Sequence, residues 1–194
     1  MAVKLFTERR SKDYVWRTAE EEFHPDCIDY ARHPKGTGLM FWAVFKKGKM
    51  GPGLFFDLEK GESVNSTVYR DQILLGPLQQ FWEESFGDVT VPIVMEDNAP
   101  VHKKICIPAW EALGMETLEW PPNSPDLNPI ENIWSYMKDI IARDYAQVSS
   151  AKEMKRIVQD MWEQFTDGQW DKLIESMPNR MEAVIAANGG STRF

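Results

Sequence analysis

Trp120-Pro121-Pro122-Asn123-Ser124-Pro125-Asp126-Leu127-Asn128-Pro129-Ile130-Glu131-Asn132-Ile133-Trp134 is a proline-stiffened turn that ends abruptly in an amphipathic helix. Asn128 suits the N-cap and Pro129 the first helical position, and Ile130, Ile133, Trp134, Met137 and Ile141 recur at helical spacing. Glu131 therefore falls in the first turn, where the helix dipole favours a carboxylate. As the third residue after the cap, it also has the spacing to close a capping box on the Asn128 N–H. A second carboxylate lies upstream. The apolar run from Val91 reads as a short buried strand that stops at Asp97, before an Asn98-Ala99-Pro100 turn. The exposed end of a buried strand is where α/β folds place their chemistry, although an Asx-turn would use the same aspartate structurally. Glu96, if still in the strand, would point away from Asp97. Glu131 follows Asp97 by 34 positions (131 − 97), enough for a helix, a short strand and the proline turn to bring the chain back beside it.

Outward from these two segments, Gly38 to Phe45 is the clearest strand, a continuous apolar run suited to a buried position. A tip carrying Lys46, Lys47 and Lys49 turns it back into Leu54-Phe55-Phe56; that tip reads as a solvated turn or, functionally, as a phosphate contact. Ala2 to Phe6 and Tyr14 to Arg17 read as a first hairpin, followed by an acidic surface loop from Thr18 to Lys35. His24, Cys27 and His33 in that loop lack a standard zinc spacing. Asn65-Ser66-Thr67 offers caps to a helix that Gly76-Pro77 should kink. A further helix is expected from Pro100 with Ile105, Ala109, Trp110 and Leu113 inward, then a strand from Met115 to Leu118. Beyond Glu131 the pattern is helical: a stripe of Met154, Ile157, Val158, Met161, Trp162 and Phe165, a second begun by Trp170 and reset by Pro178, and a frayed tail after Gly189-Gly190.

The order of elements is that of an α/β domain, a mixed sheet flanked by helices with a helical C-terminal part. The 194 residues, 43% apolar, suffice for a single domain spanning 1–194. A net charge of −8 argues against a dedicated nucleic-acid-binding module, whose footprint is a basic face, but not against an enzyme that clusters carboxylates around a cation. Two cysteines give no disulfide framework, and no segment approaches the roughly 18 consecutive apolar residues of a membrane span. A soluble intracellular protein is expected.

Asp97-Asn98-Ala99-Pro100-Val101-His102, the run from Trp120 to Trp134 and the tail Ile174-Glu175-Ser176-Met177-Pro178-Asn179-Arg180-Met181-Glu182-Ala183-Val184-Ile185-Ala186-Ala187-Asn188-Gly189 together resemble the catalytic domains of mariner-superfamily DDE transposases. The resemblance implies an RNase H-like fold, cut-and-paste DNA transposition, and Asp97 and Glu131 as ligands of Mg²⁺ or Mn²⁺. It implies as partners the transposon ends and target DNA, with a homodimer in the transposition complex, and a nuclear address in a eukaryote. His102 matches a family histidine, so His102 and Asn98 are expected near DNA, with His102 equally suited to hydrogen bonding within the turn. Asp126 belongs to the structured turn rather than to the metal site. In this family the first metal-binding aspartate sits on the opening strand, typically within a Ser-Asp-Glu segment just before an apolar stretch that corresponds here to Ala2 to Phe6, and Met1 stands where that segment would end. The first carboxylate is therefore expected to be missing, with Glu8 and Asp13 poorly placed to replace it. The alternative is a catalytically dead RNase H-like remnant that binds DNA or protein.

Such chemistry calls for hard oxygen ligands. Water or a 3′-hydroxyl attacks a phosphodiester, negative charge builds on the phosphorane and leaving oxygen, and paired divalent cations held by Asp and Glu neutralise it.

Overall fold

The computed structural model describes residues 2–4, 38–58, 62–86, 93–97, 99–102, 104–118, 124–190 and 192–194. The strand expected over Tyr14 to Arg17, the acidic loop with His24, Cys27 and His33, and Glu8, Asp13 and Asn98 lie outside these residues.

Strands β1 (Ala2–Lys4), β2 (Gly38–Lys46) and β3 (Lys49–Phe55) form an antiparallel sheet in that order, with Ala2 opposite Met40 and Phe41 opposite Phe55. The pleat divides the apolar run of β2 between two helical layers: Leu39, Phe41 and Ala43 face one, Trp42 and Val44 the other. The first layer is α4 (Pro129–Asp144) and α5 (Ala151–Glu163), which supply Ile133, Trp134, Met137 and Ile141, then Met154, Ile157, Val158 and Trp162. Phe41 is fully buried among them, worth about 2–3 kcal/mol relative to exposure. Gly53 lets Trp162 approach β3: a Cβ there would sit 2.6 Å from both Phe41 Cζ and Trp162 Cδ1. The Trp162 indole N–H donates to the Gly51 carbonyl at 2.9 Å.

The second layer starts at α1 (Ser66–Tyr69), where the Asn65 side chain accepts from the Thr67 and Val68 N–H groups at 2.9 and 3.0 Å. The helix continues through a π-helical stretch, Arg70–Leu78, into α2 (Gln79–Phe86). Pro77 lacks the N–H an α-helical turn needs, and the strain appears as the expected kink at Leu75 (φ −86°, ψ 15°). The helix expected from Pro100 instead starts as two 3₁₀ turns, Pro100–His102 and Lys104–Cys106, before α3 (Ile107–Ala112). That change of phase turns Ile105 outward, 39% exposed, while Ala109 and Trp110 stay buried. Gly114, at φ +64°, ends α3 and leads into β5 (Glu116–Thr117), which pairs in parallel with β4 (Ile93–Val94). Among the described residues β4 ends at Val94, ahead of Asp97, and is less buried than its sequence suggests: Ile93 is 64% exposed, and only β5 pairs with it there.

The lysine tip is not a free turn. Gly48 and Met50 donate backbone N–H bonds to Asp171 Oδ1 (2.8 Å) and Asp167 Oδ1 (2.7 Å), and Lys47 pairs with Glu175 at 2.7 Å. The tip is thus docked on α6 (Asp171–Glu175), after which Pro178 opens α7 (Met177–Ala186). Nor does the chain end fray: Thr192 returns to Asp126, donating from N at 3.2 Å and from Oγ1 at 2.8 Å.

Candidate active site

Asp97 lies beyond the end of β4, not within it. Its Oδ1 accepts the Ala99 N–H at 3.0 Å, which is the Asx-turn, and the same oxygen lies 3.0 Å from His102 Nε2. Because the chain has left the strand, strand alternation no longer holds, and Glu96 also turns toward His102, 3.2 Å from Oε1 to Nδ1. The Nδ1 contact is an ion pair without hydrogen-bond geometry. Tyr69, buried on α1, donates its hydroxyl to the same Glu96 oxygen and sets its ring edge-on to the imidazole, with centroids 4.4 Å apart. The turn after β4 is therefore a chain of contacts, Tyr69 to Glu96 to His102 to Asp97. Burial works to lower the His102 pKa, but the hydrogen bond it donates to Asp97 and the charge and contact of Glu96 outweigh it and raise it to about 9. The same His102 contact holds the Asp97 carboxyl below the usual aspartate range, against partial burial and with help from the Ala99 N–H. Glu96 and Tyr69 were not legible as site residues; only a contact between distant segments reveals them.

Glu131 is placed by the start of α4. A 3₁₀ turn, Pro125–Leu127, buries Leu127 and delivers Asn128 as N-cap, its Oδ1 accepting the Ile130 N–H at 3.4 Å. The capping box does not form, because the Asn128 N–H is already donated to the Pro125 carbonyl at 3.0 Å. That leaves the Glu131 carboxylate with no hydrogen-bond partner among the described residues. Asp126 is occupied by Thr192, consistent with a structural role in the turn. Arg180, 2% exposed on α7, donates to the Asp126 carbonyl (2.6 Å), Asn132 Oδ1 (2.7 Å) and Ser176 Oγ (2.8 Å).

Asp97, Glu131, His102 and Glu96 line one cavity of about 350 Å³, floored by Trp42, Val44 and Trp134. Asp97 is the accessible member, its side chain 61% exposed, whereas those of Glu96 and His102 are 13% and 15% exposed. Among the described residues, no three His, Cys, Asp or Glu side chains converge as a metal-binding set. The donor chemistry nonetheless fits a hydrated, oxygen-seeking cation: two carboxylates face one water-accessible space, and Asp97 Oδ2 has no hydrogen bond among the described residues.

Residues 54–155 match the family model described as DDE superfamily endonuclease. The Tc1 transposase of Caenorhabditis elegans is 29% identical over 160 residues, which are 82% of this chain and 55% of the relative, so the chain spans about half that relative's length. The crystal structure of the catalytic domain of Mos1 mariner transposase matches with a TM-score of 0.67 at 23% identity, covering 80% of this chain and 76% of that one. The mariner Mos1 paired end complex with Mg gives 0.75 at 22% identity, covering 100% of this chain and 55% of that one. The fold is accordingly the RNase H-like one of the Mos1 catalytic domain, a mixed α/β architecture that is mostly helical with a small sheet.

Proposed function

The chain belongs to the DDE superfamily endonucleases, and on that premise we propose that it is the catalytic domain of a cut-and-paste DNA transposase in which Asp97 and Glu131 hold the catalytic divalent cation. The observation that carries the reading is the shared cavity: one carboxylate from the turn after β4 and one from the first turn of α4, both facing solvent-accessible space. The Tc1 relative is a transposase, and the Mos1 neighbour is a paired end complex with Mg, which favours DNA ends as substrate, Mg²⁺ or Mn²⁺ as cofactor and a homodimer as the working assembly.

A bound divalent ion would supply Lewis acidity toward the phosphate and a lowered pKa for the attacking water. The protein's own part is to present oxygen ligands rigidly. Asp97 keeps one oxygen on His102 and the Ala99 N–H and leaves the other for the ion. His102, protonated at neutral pH and pinned by Glu96, holds the Asp97 carboxylate in a single rotamer. Glu131 projects from the first turn of α4, where the helix dipole favours a negatively charged side chain.

The family resemblance implies a further carboxylate on the opening strand, ahead of Ala2, so the test supplies residues 1–194 with a preceding strand segment ending in Asp-Glu. Nicking of transposon-end DNA in Mn²⁺ is expected, lost at least 100-fold or so in D97N and in E131Q. Nicking that survives both substitutions would refute the assignment.

A further inference from the structure

Asn132 and the Asp126 carbonyl lie on either side of Glu131 in sequence, and one buried guanidinium holds both. Arg180 is 2% exposed, and a charge so placed is retained only where its donors are satisfied. Its Nη1 reaches the Asp126 carbonyl at 2.6 Å, its Nη2 Asn132 Oδ1 at 2.7 Å and its Nε Ser176 Oγ at 2.8 Å. Ser176 in turn donates to the Leu173 carbonyl at 2.6 Å, tying the fork to the end of α6. The Phe194 ring stacks on the guanidinium, 5.1 Å from its centroid, and Thr192 fastens the Asp126 side chain, so the chain end closes over the fork. The contacts to Asp126 and Asn132 span 54 and 48 residues, and none involves the carboxylate of Glu131.

We infer that Arg180 is a positioning residue for Glu131: by bridging Asp126 and Asn132 it fixes the orientation of the first turn of α4 and so aims the Glu131 carboxylate into the cavity it shares with Asp97. The need for such a device is visible in the cavities. Glu131 lines the Asp97 cavity and also a second one of about 430 Å³, between α4 and the returning chain end, bounded by Ser135, Val184, Gly190 and Phe194. With open space on both sides and no hydrogen bond to the carboxylate among the described residues, the backbone is what decides which side it serves. The hydrophobic anchors Ile133 and Trp134 hold the helix against the sheet, but apolar contacts are non-directional; the bidentate fork is what sets the rotation of the turn.

This inference rests on the metal reading of Glu131 but is tested separately from it. In the residues 1–194 protein, R180K keeps the charge and loses the fork. Hydrogen exchange in peptides covering 126–135 should then accelerate about tenfold while exchange in α5 stays unchanged. The Mn²⁺ affinity, read from the free-ion electron paramagnetic resonance signal, should weaken about five- to tenfold. M154A, a core substitution in α5, controls for general destabilisation and should leave the Mn²⁺ affinity at the wild-type value. N132A removes a single acceptor, so it covers the event that R180K does not fold, and it should loosen the same peptides to a smaller degree. Unchanged exchange over 126–135 in folded R180K, or in N132A where R180K does not fold, would overturn the clamp. Local loosening with wild-type Mn²⁺ affinity would overturn its link to Glu131. A wild-type Mn²⁺ signal insensitive to E131Q would instead refute the metal reading, and the clamp itself would then be decided by the exchange data.

Discussion

His102 joins two carboxylates of different exposure, the half-buried Glu96 and the exposed Asp97, and its charge sets how the turn after β4 responds to pH. Its pKa is raised from the ordinary 6.5 to about 9, so the protonated ring stabilises the folded, metal-free protein fully below about 6.5, and the contribution is lost as the pH rises through 9. The Asp97 carboxyl is shifted the other way: its contribution is present above the ordinary 3.8 and is lost as the pH falls through its depressed value. The turn is therefore held best between these limits. Imidazole titration by NMR should place His102 above pH 8, and D97N should lower its midpoint by roughly one unit or more. A midpoint near 6.5 in the wild-type protein would show that the two carboxylates do not act on the ring as described. The sequence made Asp97 and His102 visible because both stand in a short run with a recognisable pattern. It misplaced Glu96, since the expected face assumes a strand that in fact ends at Val94. Tyr69 and Arg180 carry no local signal at all; an isolated tyrosine in a helix or arginine in a tail reads as an ordinary amphipathic residue until the tertiary fold gives it partners.

At the level of elements, α4 was the most legible, because cap, proline and periodic apolar residues all agree on one start. Only its capping box was wrong, and the cause lies one turn earlier, where the 3₁₀ segment takes the Asn128 N–H first. β2 was legible as a strand, yet its two-sided burial became clear only with both helical layers in place. β4 failed the other way: an apolar run predicts a strand, but its length and burial depend on partners that sequence periodicity does not record. The contact between β3 and α5 is close-packed at Gly53. G53A should overpack it, since the added methyl would meet Phe41 and Trp162 at 2.6 Å with both rings buried. A loss of about 2 kcal/mol is expected in urea unfolding, with the m-value unchanged. A G53A protein as stable as wild type would mean that α5 stands farther from the sheet.

On the scale of the whole molecule, two helical layers clamp a small sheet so that the turn after β4 and the start of α4, remote in sequence, open onto one cavity. A net charge of −8 suits a site that gathers carboxylates before a cation arrives, and under the proposed function it leaves DNA contact to local groups rather than to an overall basic face. The central claim is that Asp97 and Glu131 share a divalent ion. The most direct measurement is anomalous diffraction from crystals of the residues 1–194 protein soaked in Mn²⁺. The account predicts an anomalous peak in this cavity, within about 2.0–2.4 Å of carboxylate oxygens of both Asp97 and Glu131, and its disappearance in D97N and in E131Q. A manganese ion bound by only one of the two, or a peak that persists when either is replaced, would contradict it.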